Sequence, residues 1–187
     1  MGRLLEYLIL FSPSIGVRLD VAEFKRQFER RYGYFESSHS IGHITVGNIL
    51  IPSGKEGWFF VHLAAQLREI ECFEFKIKGF EKFRSSCTIY ACFEEIGNFK
   101  MVSEALRRTS QIHYLKKLRE ITFTPHLTIA KQLKPQVLER AYYPEYCIKE
   151  YEKTFDAYEL IVLRRAYQWQ KYELFRKLPL MDANFYC

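Results

Sequence analysis

The chain of 187 residues carries 28 Lys and Arg against 22 Asp and Glu, a net charge of +6, and is 48% apolar and 17% aromatic. That balance belongs to a globular chain long enough to bury roughly 70% of its unfolded surface. It excludes a helical membrane protein, since no apolar run nears the ~18 residues of a span, and linked independent domains, since no Pro/Gly/Ser-rich linker divides residues 1–187.

In chain order, Leu4 to Phe11 reads as a first strand, not a signal peptide, because no small-residue cleavage site follows it. A helix comes next, with Asp20 as its expected N-cap, Glu23 three residues on, Val21, Phe24 and Phe28 along one face, and Gly33 as its stop. The polar segment Phe35 to Gly42 leads into His43-Ile44-Thr45-Val46, where Ile41, Ile44, Val46 and Ile49 mark a half-buried strand. A Pro52-Ser53-Gly54 turn, a helical stretch from about Trp58 to Ile70 and the alternating run Phe73, Phe75, Ile77 follow. Cys87 to Phe93 reads as a strand, and Phe99, Val102 and Leu106 fall at helical spacing. His126-Leu127-Thr128-Ile129 is a second short strand, after which Pro135 opens a helix. Phe155, Tyr158, Leu160 and Val162 are expected in one strand, and Tyr172 to Leu180 in a last one.

Shifting the chain by 83 residues lays the second His-x-Thr string on the first and carries the flanking elements with it. With 5 His and 7 Thr in the chain, a random order would give roughly 0.2 such pairs; two occur. The expected architecture is α+β, two duplicated β-α-β-α-β units with largely antiparallel sheets, lobed around a cleft and forming one domain over 1–187. On a strand, residues two apart project from one face, so two such strands place two imidazoles and two hydroxyls around one cavity. Histidine donates or accepts a proton near neutral pH, and threonine hydroxyls donate hydrogen bonds to phosphoryl oxygens.

These motifs resemble those of the 2H phosphoesterase superfamily, in particular its 2'-5' RNA ligase or RNA 2',3'-cyclic phosphodiesterase branch. The likeness is carried by Phe123-Thr124-Pro125-His126-Leu127-Thr128-Ile129-Ala130-Lys131 and by the run from Leu160 to Arg165 with the closing strand from Tyr172 to Leu180. Two features depart from the family: Lys131 stands where arginine is common, keeping a cation without the bidentate fork, and the lead-in Phe35 to Gly42 lacks prolines. The resemblance implies a two-lobed fold with a pseudo-twofold axis. It also implies hydrolysis of 2',3'-cyclic phosphate ends of RNA or related nucleotides, with His126 as base for water and His43 as acid for the 2' oxygen. Ligation or cleavage of 2'-5' links stays open, as do a nucleotide-binding module without turnover and, lacking a third ligand at a recognisable spacing, a zinc hydrolase.

The site expected from the sequence is therefore catalytic His43, Thr45, His126 and Thr128, with Lys131, Tyr167 and Trp169 binding substrate and with no metal or cofactor. The two aromatics sit among Arg164, Arg165 and Lys171, an arrangement that can stack on bases or simply close a hairpin. His62 is expected to be solvated, His113 to pack in its helix and His39 to lie exposed in a loop. Arg107, Arg108, Lys116, Lys117 and Arg119 form a basic run that is either a solvated helix face or an RNA guide. Cys72, Cys87, Cys92, Cys147 and Cys187 are odd in number and lack a Cys-x-x-Cys spacing, which points to reduced thiols in the cytoplasm. The expected partner is RNA or a nucleotide bearing a cyclic phosphate or 2'-5' linkage, met by a monomer with no membrane association.

Overall fold

The computed structural model describes residues 3–113, 118–166 and 170–181. Two antiparallel sheets carry the strands. The first has the order β5-β2-β1-β8-β9, built from β1 (Leu4–Phe11), β2 (Ile44–Pro52), β5 (Leu118–Ile121), β8 (Glu159–Arg165) and β9 (Glu173–Pro179). The second has the order β6-β4-β3-β7, built from β3 (Phe73–Phe83), β4 (Thr88–Glu94), β6 (Leu127–Ala130) and β7 (Glu152–Ala157). The four α-helices are α1 (Ile15–Tyr32), α2 (Glu56–Leu67), α3 (Gly97–Ile112) and α4 (Pro135–Ala141), the last followed by a π-helical turn over Tyr142–Tyr146. The α+β class and the largely antiparallel sheets match the expectation. No helix among the described residues is long and apolar enough to cross a membrane.

The halves of the chain do not map one to one onto the sheets. β3 leaves the first half to lie between β4 and β7, and β8 leaves the second half to pair with β1. The helices exchange in the same sense: α3, which follows β4, packs on β2 and α2, whereas α1, which follows β1, packs beside β6. Aromatic rings fill the core between them. Phe11 meets the edges of Phe73 and Phe75 at 5.7 and 5.3 Å, and Phe24 and Tyr146 both meet Phe80 at 5.2 Å. Offset and edge-on ring pairs of this kind add to the burial of apolar area itself.

Two expectations are corrected. The run from Phe155 to Val162 is two strands, because the chain turns at Tyr158 and passes from the second sheet to the first; Phe155 pairs with Phe75, and Val162 with Ile9. The buried positions change phase at this crossing, from Phe155 and Ala157 to Leu160 and Val162, with Tyr158 and Glu159 between them. The first helix begins at Ile15, not after Asp20: the Ser14 hydroxyl caps it by accepting from the Val17 amide at 3.5 Å. Asp20 instead accepts from the Tyr151 hydroxyl and lies 3.7 Å from Lys153. A third finding adds to the expectation: His62 is exposed and His113 packs on Phe59, as read from the sequence, and His62 Nδ1 and His113 Nε2 share a hydrogen bond of 2.8 Å that ties α2 to the end of α3.

Pro135 opens α4 as expected. Pro144 has no amide hydrogen and its ring collides with the carbonyl four residues back in a regular α-helix; the widened π-helical turn accommodates it. Gly47 is required for a different reason. A Cβ there would come within 2.6 Å of Leu106 on α3 and 3.0 Å of the Glu120 carbonyl on β5, so only glycine lets the helix and both strands close up.

Across the first sheet, the buried carboxylate of Glu6 accepts from Arg165 Nε and Nη2 at 2.8 and 3.0 Å, from Asn48 Nδ2 at 2.9 Å and from the Tyr172 hydroxyl at 2.9 Å. Burial works to raise its pKa, and the donors outweigh burial, holding it at about 2. A carboxyl depressed in the folded state contributes stability above its ordinary value and loses it as pH falls through the folded one. Urea midpoints should therefore decline steeply from about pH 5 to 2. Glu6→Gln should flatten that slope and cost about 3–5 kcal/mol at neutral pH, as expected when one partner of a buried ion pair is removed.

Candidate active site

Both His-x-Thr pairs sit at the first residues of a strand. Ile44 and Leu127, the residues between histidine and threonine, have no exposed surface and face the core. Strand alternation then turns His43 and Thr45, and likewise His126 and Thr128, to the partly exposed opposite face. In each pair the histidine precedes the first ladder residue, and its ring folds back on its own backbone. His43 Nδ1 lies 2.8 Å from the Ile41 carbonyl and His126 Nδ1 lies 3.0 Å from the Thr124 carbonyl. A carbonyl oxygen can only accept, so Nδ1 carries the hydrogen in both rings. In the neutral rings Nε2 is then the lone-pair nitrogen, and the two sites are chemically matched.

The surroundings differ. The His126 ring is held by aromatic edges, with Phe83 at 5.2 Å and Tyr90 at 5.6 Å, and these two stack on each other at 4.1 Å. Tyr90 is the cross-strand neighbour of Thr128, and burial pushes its hydroxyl up to about 12, so it stays protonated. His43 titrates below the ordinary histidine range: burial disfavours its charged form, and the charges of Lys25, His126 and Lys131 add to that, against the opposing pull of the Ile41 carbonyl. His126 and Lys131 flank β6, whereas His43 opens β2, so two sheets and α1 bring these groups within electrostatic reach.

Lys131 thus lies within electrostatic reach of His43. Tyr167 and Trp169 lie outside the described residues, as do Lys116 and Lys117. Arg165 is engaged with Glu6, the Arg164 guanidinium lies 4.8 Å from the Phe175 ring, and Arg107 and Arg108 both bond Glu104. Among the described residues no group of three or more His, Cys, Asp or Glu side chains could hold a metal ion.

Lys25 escaped the sequence reading. Its signal was present: Val17, Val21, Lys25 and Phe28 form the buried stripe of α1, and a lysine on that stripe must bury its ammonium. Only 1% of Lys25 is exposed, and its Nζ donates to the Ser37 carbonyl, the Ser40 carbonyl and the Ser40 hydroxyl at 3.0, 2.8 and 2.7 Å.

The sequence model of the 2'-5' RNA ligase superfamily matches residues 12–167. A comparison with curated proteins gave no match. Among solved structures, TT0787 of Thermus thermophilus is similar with a TM-score of 0.69 at 15% identity, over 94% of this chain and 97% of that one. E. coli LigT complexed with 3'-AMP is similar with a TM-score of 0.67 at 10% identity, over 95% and 99%. Kluyveromyces marxianus Usb1 is similar with a TM-score of 0.51 at 12% identity, over 94% and 98%. At such identities the likeness is one of fold.

The anchoring geometry has a direct readout. Nitrogen-15 NMR of the imidazoles should find both His43 and His126 in the Nδ1–H form at neutral pH, with the His43 midpoint below the ordinary value of about 6.5. A His43 midpoint at or above that value would contradict the buried, cation-flanked site described above.

Proposed function

This chain belongs to the 2'-5' RNA ligase superfamily, and we propose that it is a metal-independent phosphodiesterase that opens 2',3'-cyclic phosphate ends of RNA or related nucleotides. The observation that carries this reading is the matched pair of Nδ1–carbonyl bonds, which leaves each histidine one nitrogen with which to exchange a proton. Opening a cyclic phosphate needs one proton taken from water and one delivered to the departing ribose oxygen. His126 Nε2 accepts the proton of the attacking water, the new P–O bond forms as the P–O bond to the ribose breaks, and His43 Nε2–H protonates the leaving oxygen. The product is a phosphate monoester beside a free ribose hydroxyl. Thr45 and Thr128 donate to the non-bridging oxygens, and Lys131 offsets their charge.

Burial and the neighbouring cations hold His43 below its ordinary value, so in this order it takes up its proton as substrate binds, when the phosphate anion favours the imidazolium. With a 5'-hydroxyl in place of water, the same exchange of protons joins a cyclic end to that hydroxyl as the ring P–O bond breaks, and departure of the 3' oxygen leaves a 2'-5' link. We read the two halves as a duplicated unit acting as one domain over 1–187, a monomer in which one chain supplies both pairs. The free thiols of Cys72, Cys87, Cys92 and Cys147 fit a cytoplasmic setting.

With adenosine 2',3'-cyclic phosphate or a cyclic-ended oligoribonucleotide, turnover should persist in excess EDTA. His43→Ala and His126→Ala should each lower kcat by at least about 10²-fold, and the double variant should lose little more than either single one, because the two act in one step. A substrate with an activated leaving group should rescue His43→Ala more than His126→Ala. Near wild-type turnover by His43→Ala would remove the paired-histidine mechanism, and the opposite rescue would exchange the two roles.

A further inference from the structure

Lys25 is a buried ammonium with three acceptors and no carboxylate among them. The acceptor count fixes its charge state in this arrangement. Ser40 Oγ donates its own hydrogen to the Ser37 carbonyl at 2.9 Å, so it must accept from Lys25. Three donated bonds need –NH3+, since a neutral amine has only two hydrogens. Such a charge is costly to bury, and the repulsion of Lys131 adds to the cost.

What the ammonium holds is informative. It clamps the Ser37 and Ser40 carbonyls at the end of the segment that leads to Ile41, whose carbonyl anchors the His43 ring. From the other side, Val21 of α1 fits against Gly42, where a Cβ would come within 3.0 Å of its side chain. One turn of α1 thus fixes both sides of the backbone that carries the His43 acceptor.

We propose that Lys25 is a positioning residue for His43: by clamping the 37–40 loop it fixes the Ile41 carbonyl and with it the His43 tautomer. The catalytic part of this proposal rests on the reading of His43 given above; the structural part does not. The charged and titratable groups facing Lys25 and His43 from the neighbouring elements are His126 and Lys131, at the two ends of β6. Both carry or gain positive charge, so all act on His43 in the same direction.

The test is the nitrogen-15 titration of the His43 ring in wild type, Lys25→Met and Lys131→Met. Burial and Lys131 push Lys25 down to about 8, so the wild-type His43 signals should show a second, smaller inflection near that pH. The inflection should vanish in Lys25→Met and move to higher pH in Lys131→Met, where the repulsion on Lys25 is relieved. In Lys25→Met the His43 midpoint should rise, an Nε2–H population should appear and the His126 tautomer should stay as it was. kcat/KM should fall by about 10²-fold, the scale of an ångström-sized misplacement. A folded Lys25→Met with an unchanged His43 midpoint and tautomer would overturn the proposal. If that variant does not fold, Ser40→Ala takes its place: losing one acceptor should shift the inflection to lower pH, and an unmoved or absent inflection overturns the proposal equally. These spectra need no turnover, so an inactive wild type with the expected titrations would sink the phosphodiesterase reading alone.

Discussion

One buried aliphatic residue separates each histidine from its threonine, and the site depends on that constraint. Ile44 and Leu127 are locked into the core, so the strand can present the polar pair only to the other face. A slip of one residue would put imidazole and hydroxyl into the hydrophobic interior and the aliphatic side chain into the cleft. The ladders prevent it: Ile44 lies opposite Phe11, and Leu127 opposite Ala91. Core packing and chemistry are therefore set by one register in each sheet.

Both sheets mix strands from the two halves of the chain, β3 in the second and β5, β8 and β9 in the first. α1, the helix beside β6, carries the lysine that clamps the loop before β2. Two motifs far apart in sequence are thereby tied through one helix. The same arrangement concentrates positive charge: His43, His126, Lys25 and Lys131 influence one another, whereas the buried carboxylate of the first sheet is saturated by Arg165, Asn48 and Tyr172. Burial out of bulk water strengthens each of these interactions.

Much of this was legible in the sequence because it depends on local periodicity. Strand alternation around His43 and His126, the proline that opens α4 and the glycine that ends α1 are each written in a few adjacent residues. Tertiary choices were not. Between Phe155 and Val162 the sign of the turn at Tyr158 is a change of phase, from Phe155 and Ala157 to Leu160 and Val162, which a bulge within one strand would also give. Ser14 lost to Asp20 as the expected cap because Ile15 and Leu19 are exposed and Gly16 is a weak helix former. Lys25 lies on the Val17, Val21, Phe28 stripe, but the carbonyls that receive its ammonium come from a loop 12 to 15 residues on. The bond between His62 and His113 joins residues 51 positions apart and has no local trace.

The central claim is that two His-x-Thr pairs converge on one phosphorus, and the most direct measurement is an NMR titration of the wild-type protein with inorganic phosphate, following both imidazole rings. One site predicts that the His43 and His126 signals move together with a single Kd and that the His43 midpoint rises, because the anion stabilises its imidazolium form. Signals that respond with different Kd values, or a response confined to one ring, would contradict it.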